Sequence, residues 1–167
     1  MGRLVEYILL LLSVVLVVST LTGSTNNYYN GPTKVTDCSV TKKFAEFTNA
    51  SLTPNPMTRG KAYYVKGTFH IKKTIQWGIV HIIMTYNFKD YTNITFIDDK
   101  FNFCDFFLAL TKFRCPITPG IYQLNYTCNG NEAVPKLFWR GRYYAKAAAY
   151  NENGEKIMCQ KAEVTIN

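Results

Sequence analysis

Histidine is scarce in this chain: only His70 and His81 occur among its 167 residues. Both fall on the outward parity of strands that alternate apolar with polar, which reads as a surface position and not as a buried general base. The sequence has no Gly-x-Ser-x-Gly nucleophile elbow and no glycine loop of the kind that cradles phosphate. Its five cysteines include no Cys-x-x-Cys pair, which argues against zinc and against thioredoxin-like redox chemistry. The adjacent acids Asp98 and Asp99 would point to opposite faces of a strand and so cannot act as an acid/base pair; a turn is the better assignment. The expectation is a non-enzymatic chain with no metal and no cofactor.

Long runs are missing too. No basic stretch exceeds two residues, which argues against a nucleic-acid partner. No segment has an extended 3.6-residue apolar period, so long helices are not expected. The apolar run from Ile8 to Val18 is too short to span a bilayer. Arg3 precedes it, and the small residues Ser19, Thr20, Thr22, Gly23 and Ser24 follow. Residues 1–23 therefore read as a cleaved secretory signal, with a membrane anchor extended by Leu21 as the alternative. Residues 24–33, broken by Gly31-Pro32, read as a flexible leader, and 34–167 as the folded domain. About 145 residues remain after the signal, enough for one domain with a real core.

Acid is under-represented: 19 Lys and Arg face 11 Asp and Glu, a formal net charge of +8. Arg3 and Glu6 cancel within the signal, so the exported chain keeps that excess. It favours anionic surfaces such as acidic phospholipid headgroups or glycans. The cysteines, Cys38, Cys104, Cys115, Cys128 and Cys159, suggest disulfides in an exported chain, and their odd number leaves at least one unpaired or paired with another chain. Sequons at Asn49, Asn93 and Asn125 agree with passage through a secretory lumen.

What the chain does have is strands. Tyr63, Val65, Gly67, Phe69 and Ile71 share one face of a segment whose other face is polar. Val80, Ile82, Met84 and Tyr86 form a second inward face, which Ile79 and Ile83 interrupt. Further strands are expected over Val35 to Ala45, Ile94 to Phe107 and Gly120 to Tyr126. Ser51 to Gly60, with Pro54 and Pro56, reads as an extended edge or connection, and Phe106 to Leu110 as a single helical turn. The chain closes on a hairpin around Asn153-Gly154, whose first strand turns Tyr143, Ala145, Ala147 and Ala149 to one side. Some seven or eight short strands indicate an all-β sandwich. Alanines fill little space, so either the facing wall is bulky or something else occupies the gap. Aromatic residues make up 15% of the chain. They fit a filled core, or a pocket for an apolar ligand mouthed by Val134, Leu137, Phe138 and Trp139.

Three motifs resemble a known family. Leu52-Thr53-Pro54-Asn55-Pro56 with Arg59-Gly60 is similar to the early motif of secreted phosphatidylglycerol/phosphatidylinositol transfer proteins. Cys104-Asp105, Cys115-Pro116-Ile117 and Pro119-Gly120 resemble their central motif. Val134-Pro135-Lys136, Gly141-x-Tyr143 and Asn153-Gly154 followed by Cys159 resemble the closing one. These proteins share the ML lipid-recognition domain with the Niemann–Pick type C sterol carriers. The resemblance covers about Val35 to Ile166, and departs where relatives carry two prolines before the glycine and this chain has Trp139 and Arg140.

The resemblance implies an immunoglobulin-like sandwich of two antiparallel sheets with an apolar cavity between them. It implies Cys38–Cys159 and Cys104–Cys115 pairings, with a Cys115–Cys128 bridge as the rival. The guest would be a phospholipid or sterol, contacted by Tyr63, Val65, Phe69, Val80, Ile82, Met84 and Tyr86. Phe103, Ile117, Tyr122 and Leu124 would join them, as would the inward face of the hairpin and the mouth residues already named. Arg140 or Lys136 would meet a phosphate at the rim. The expected protein is a monomer of the secreted or endolysosomal (vacuolar) lumen that touches membranes transiently. The competing reading is an extracellular interaction module with a solid core.

Overall fold

A computed structural model of the chain describes residues 33–41, 44–58, 60–88, 92–128 and 138–167. The segment expected to be a signal, and the expected leader up to residue 32, lie outside the described residues. Strand β4 (Tyr63–Ile71) buries Tyr63, Val65, Phe69 and Ile71 and exposes Tyr64 and Lys66. Strand β5 (Gly78–Phe88) buries Val80, Ile82, Met84 and Tyr86, while Ile79 and Ile83 on the other parity stay partly open to water. The remaining strands are β1 (Thr33–Lys34), β2 (Thr36–Asp37), β3 (Ala45–Thr53), β6 (Thr92–Asn102), β7 (Gly120–Cys128), β8 (Gly141–Asn151) and β9 (Lys156–Ile166). One sheet runs β1-β3-β4-β7 and the other β2-β9-β8-β5-β6, all pairs antiparallel. Apolar inner faces of both sheets contribute to one core, which makes the chain an immunoglobulin-like sandwich.

Several elements differ from the sequence reading. Val35 to Ala45 is not one strand. Thr33 and Lys34 bond to β3, whereas Thr36 and Asp37 bond to β9, so the chain passes from one sheet to the other at Val35. Ser51 to Gly60 is not wholly a connection either, because Ser51 to Thr53 complete β3. That strand was hidden by a bulge between Thr48 and Ser51, with Asn49 at φ 53°. The bulge flips parity: Ala45 and Phe47 are buried before it and Leu52 after it. The strand expected to reach Phe107 stops at Asn102, whose Oδ1 accepts the Cys104 and Asp105 N–H groups at 2.8 and 3.3 Å. That cap starts α1 (Phe103–Thr111), a nine-residue helix in place of one turn. Phe103, Phe106, Phe107 and Leu110 form its buried stripe. Asp98 and Asp99 lie in β6 and not in a turn; water reaches both because β6 is an edge strand.

Two sets of ties hold the sheets together. On one side the Met57 N–H donates to Thr165 O (2.8 Å) and the Asn167 N–H donates to Met57 O (2.9 Å), while the Cys38–Cys159 bond, within the five-stranded sheet, pins to β9 the segment that has just crossed over from β1. At the helix end Cys104 is bonded to Cys115, and Ile75 and Ile117 exchange backbone hydrogen bonds of 2.9 Å. Loop-closure entropy over separations of 121 and 11 residues corresponds to about 5 and about 3 kcal/mol. Cys115 is therefore not bridged to Cys128, which is buried outside both disulfides.

Gly67 shows how closely the four-stranded sheet packs at one spot. A Cβ there would lie 2.2 Å from Cζ of Phe47, whose ring stacks on Phe69 at 4.4 Å. Gly67→Ala must push that ring off its partner, and we expect it to lower unfolding stability by about 1–3 kcal/mol in urea melts. An unchanged midpoint would mean that Phe47 does not occupy that position.

Candidate functional site

The interior has three zones along the strands. At the helix end, aromatic rings interlock: Phe69 with Phe107 (5.2 Å), Phe103 with Phe107 (5.7 Å) and Phe107 with Tyr122 (5.4 Å). Ile117 is buried there through its pairing with Ile75. Of the expected lipid contacts, Phe69, Phe103, Ile117 and Tyr122 thus sit at one end. Tyr122 also donates from its hydroxyl to Thr118 O (2.8 Å).

A second aromatic group gathers at the opposite end of the sheets. Tyr86 lies 4.9 Å from Tyr143, Phe96 lies 4.8 Å from Phe138, and Phe138 lies 5.5 Å from Tyr143. Two hydroxyls pin the backbone beside them: Tyr143 Oη donates to Trp139 O and Tyr86 Oη to Arg140 O, each at 2.9 Å. The chain then passes through Gly141 at φ 139°, where a Cβ would stand 2.8 Å from the Tyr86 ring. Only glycine fits both conditions. Phe138 is buried, Trp139 is 51% exposed against Tyr86, and Ile94 is also part-exposed on this rim. Arg140 is exposed. Val134, Lys136 and Leu137 lie outside the described residues.

Between the two aromatic groups, β8 and part of β9 line the inner face of the five-stranded sheet with alanine, flanked by larger side chains. Register places Met84, Ala145 and Ala162 in one inward row; Ile82, Ala147 and Gln160 in the next; Val80, Ala149 and Met158 in the third. All nine are buried. On the four-stranded sheet, Val65, Gly67 and Leu124 occupy the inner face, with Tyr63 nearer the Trp139 end. Gln160 was missed in the sequence, as were Phe47 and Phe96. The alternation Met158, Gln160, Ala162, Val164, Ile166 carried the signal for Gln160, because it puts one polar residue in an apolar frame.

The two histidines lie elsewhere. His81 Nε2 meets Asp98 Oδ1 at 2.6 Å and His70 Nε2 meets Thr48 Oγ1 at 3.2 Å, both on outward parity. Among the described residues no three His, Cys, Asp or Glu side chains group to hold a metal ion. Asn49 and Asn125 are exposed, as glycan attachment requires; the Asn93 side chain is outside those described.

The ML domain family model matches residues 32–166. A phosphatidylglycerol/phosphatidylinositol transfer protein of Schizosaccharomyces pombe is 30% identical over 118 residues, which is 70% of this chain and 58% of that protein. This chain thus spans less than two thirds of that relative. A putative phosphatidylglycerol/phosphatidylinositol transfer protein 2 of Dictyostelium discoideum is 24% identical over 159 residues, covering 94% of this chain and 97% of its own length. A Niemann-Pick type C2 protein from Japanese carpenter ant has a similar fold, with a TM-score of 0.52 at 16% identity over 79% of this chain and 98% of that one. With its two tied antiparallel sheets and a family match that runs from the first described strand to the last, the chain belongs to the ML-domain family.

Proposed function

We propose that this protein is a non-enzymatic lipid carrier of the secretory or endolysosomal lumen. Residues 34–167 act as its working domain once residues 1–23 are removed, and it acts as a monomer. It sheathes the apolar part of a phospholipid or sterol between its sheets. The observation that carries this reading is the run of buried alanines, Ala145, Ala147, Ala149 and Ala162, between two aromatic groups. A solid core would be expected to place larger side chains at the centre of its inner face, because small ones forfeit dispersion contacts with the facing sheet. The relatives named as phosphatidylglycerol/phosphatidylinositol transfer proteins support the same reading.

The physical task is modest. Each methylene kept from water contributes about 0.8 kcal/mol, so a sheathed acyl chain can cross an aqueous gap that a bare one cannot. No covalent step is needed. Trp139 and Ile94 at the rim offer apolar surface to a bilayer, and the net charge of +8 draws the protein to anionic headgroups. Exposed Arg140 beside Trp139 is placed to meet a phosphate there.

Ala147→Phe separates a sheath from a solid sandwich. In a carrier the ring occupies guest volume, so transfer of labelled phosphatidylglycerol or cholesterol between vesicles falls at least tenfold, with stability within about 1 kcal/mol of the parent. Overpacking a solid core instead costs about 1–3 kcal/mol and leaves no transfer to lose, a result that would count for the interaction module. Trp139→Ala tests the rim: the rate of transfer drops several-fold while the lipid bound at equilibrium is unchanged. An unaltered rate would remove Trp139 from membrane contact.

A further inference from the structure

Gln160 is the one polar side chain that strand parity aims inward from β9. It is 2% exposed, and its Nε2 has no hydrogen-bond partner among the described residues. The acidic residue next to it in register, Asp37, turns Oδ1 to the Ser39 N–H at 2.7 Å. Ala147 stands directly across from Gln160, and Ala162 follows it on the same face of β9. The amide therefore borders the alanine lining of the interior. A buried amide without a partner is destabilising, and a leucine of similar size would avoid that penalty in an empty core. An occupied interior changes the balance, because a guest can supply the missing acceptor.

We propose that Gln160 is a specificity-determining residue that hydrogen-bonds an uncharged hydroxyl of the lipid guest. This rests on the carrier reading above. Its depth narrows the chemistry. Gln160 precedes Ile166, at the Trp139 end of β9, by six positions, which is about 20 Å of strand. A headgroup held at the rim cannot also reach Gln160, so the hydroxyl belongs at the inner end of an apolar body. Either a sterol entering hydroxyl-first or an acyl chain hydroxylated along its length carries one there. A phosphate or carboxylate does not fit. The inward rows Met84–Ala145–Ala162, Ile82–Ala147–Gln160 and Val80–Ala149–Met158 hold no cation to pair it. The carboxamide both donates and accepts, which matches a hydroxyl on both counts.

Two probe pairs test this, each differing by one hydroxyl: cholesterol against cholestane, and distearoyl phosphatidylglycerol with or without a mid-chain hydroxyl. The folded, glycosylated protein extracts each from phosphatidylcholine vesicles, and bound lipid is quantified. The hydroxylated member of at least one pair should be preferred by about fivefold to tenfold, and the pair that responds identifies the source. Gln160→Leu and the more flexible Gln160→Met should abolish that preference, bind the unhydroxylated member at least as well, and melt higher when empty. Equal binding within both pairs by the parent protein, or a preference that survives both substitutions, overturns the role of Gln160 and leaves the carrier standing. Extraction of none of the four lipids overturns the carrier reading itself.

Discussion

The bond between Cys38 and Cys159 closes 121 residues and pins to the last strand, β9, the segment that has just crossed from the four-stranded sheet to the five-stranded one, and the architecture leans on it. In a sandwich whose inner faces mesh, dispersion and area burial hold the layers together without help. Here β8 presents alanine at the centre of the inner face, so the periphery carries a larger share of the cohesion. Next to the disulfide, β1 and β2 belong to different sheets, and the Met57 backbone bonds to Thr165 and Asn167. At the helix end, the Cys104–Cys115 bond and the Ile75–Ile117 pair hold α1 and the start of β7 against the end of β5's approach. With the margins fastened, the middle is relieved of part of that load.

The interior follows from this division of labour. Aromatic residues concentrate at the two ends, where rings 4.4 to 5.7 Å apart fill space. Alanines occupy the middle of β8, and beside them sits a carboxamide whose Nε2 has no hydrogen-bond partner. In a meshed core these features work against stability. They become consistent with one another if the middle is completed by a molecule that is not part of the chain. The rim agrees with such traffic: it is held by tyrosine hydroxyls on the backbone of Trp139 and Arg140, and it presents an indole outward.

Much of the sheet pattern was legible in the sequence because its period is two. β4 alternates cleanly, and β5 and β8 keep a readable period despite Ile79, Ile83 and Ala148 on the outer parity; the inward residues of all three are buried. β3 was not legible, since the bulge at Asn49 reverses its parity midway and mimics a loop. The first strand was mistaken for a continuous one, because pairing to two different sheets leaves no mark on local composition. The helix was underestimated for a related reason: Phe103, Phe106 and Phe107 suit an aromatic strand as well as a helical stripe, and the Asn102 cap decides between them. Of the candidate lining, Phe103, Ile117 and Phe138 were found although they lie outside the strands, whereas Phe96 on β6 and Gln160 on β9 were missed. Phe47 lies on the unrecognised strand. Gln160 was legible on β9, where every neighbour in its frame is apolar, but the sequence reading assigned a frame only to the first strand of the closing hairpin.

The central claim is that the space between the sheets holds a guest. Native mass spectrometry of the protein purified, without detergent, from a eukaryotic secretory host tests it most directly. The account predicts a species heavier than the glycosylated chain by one lipid, which organic extraction releases and identifies. A spectrum containing only the bare glycosylated chain, with no lipid in the extract and none acquired on incubation with vesicles, would contradict it.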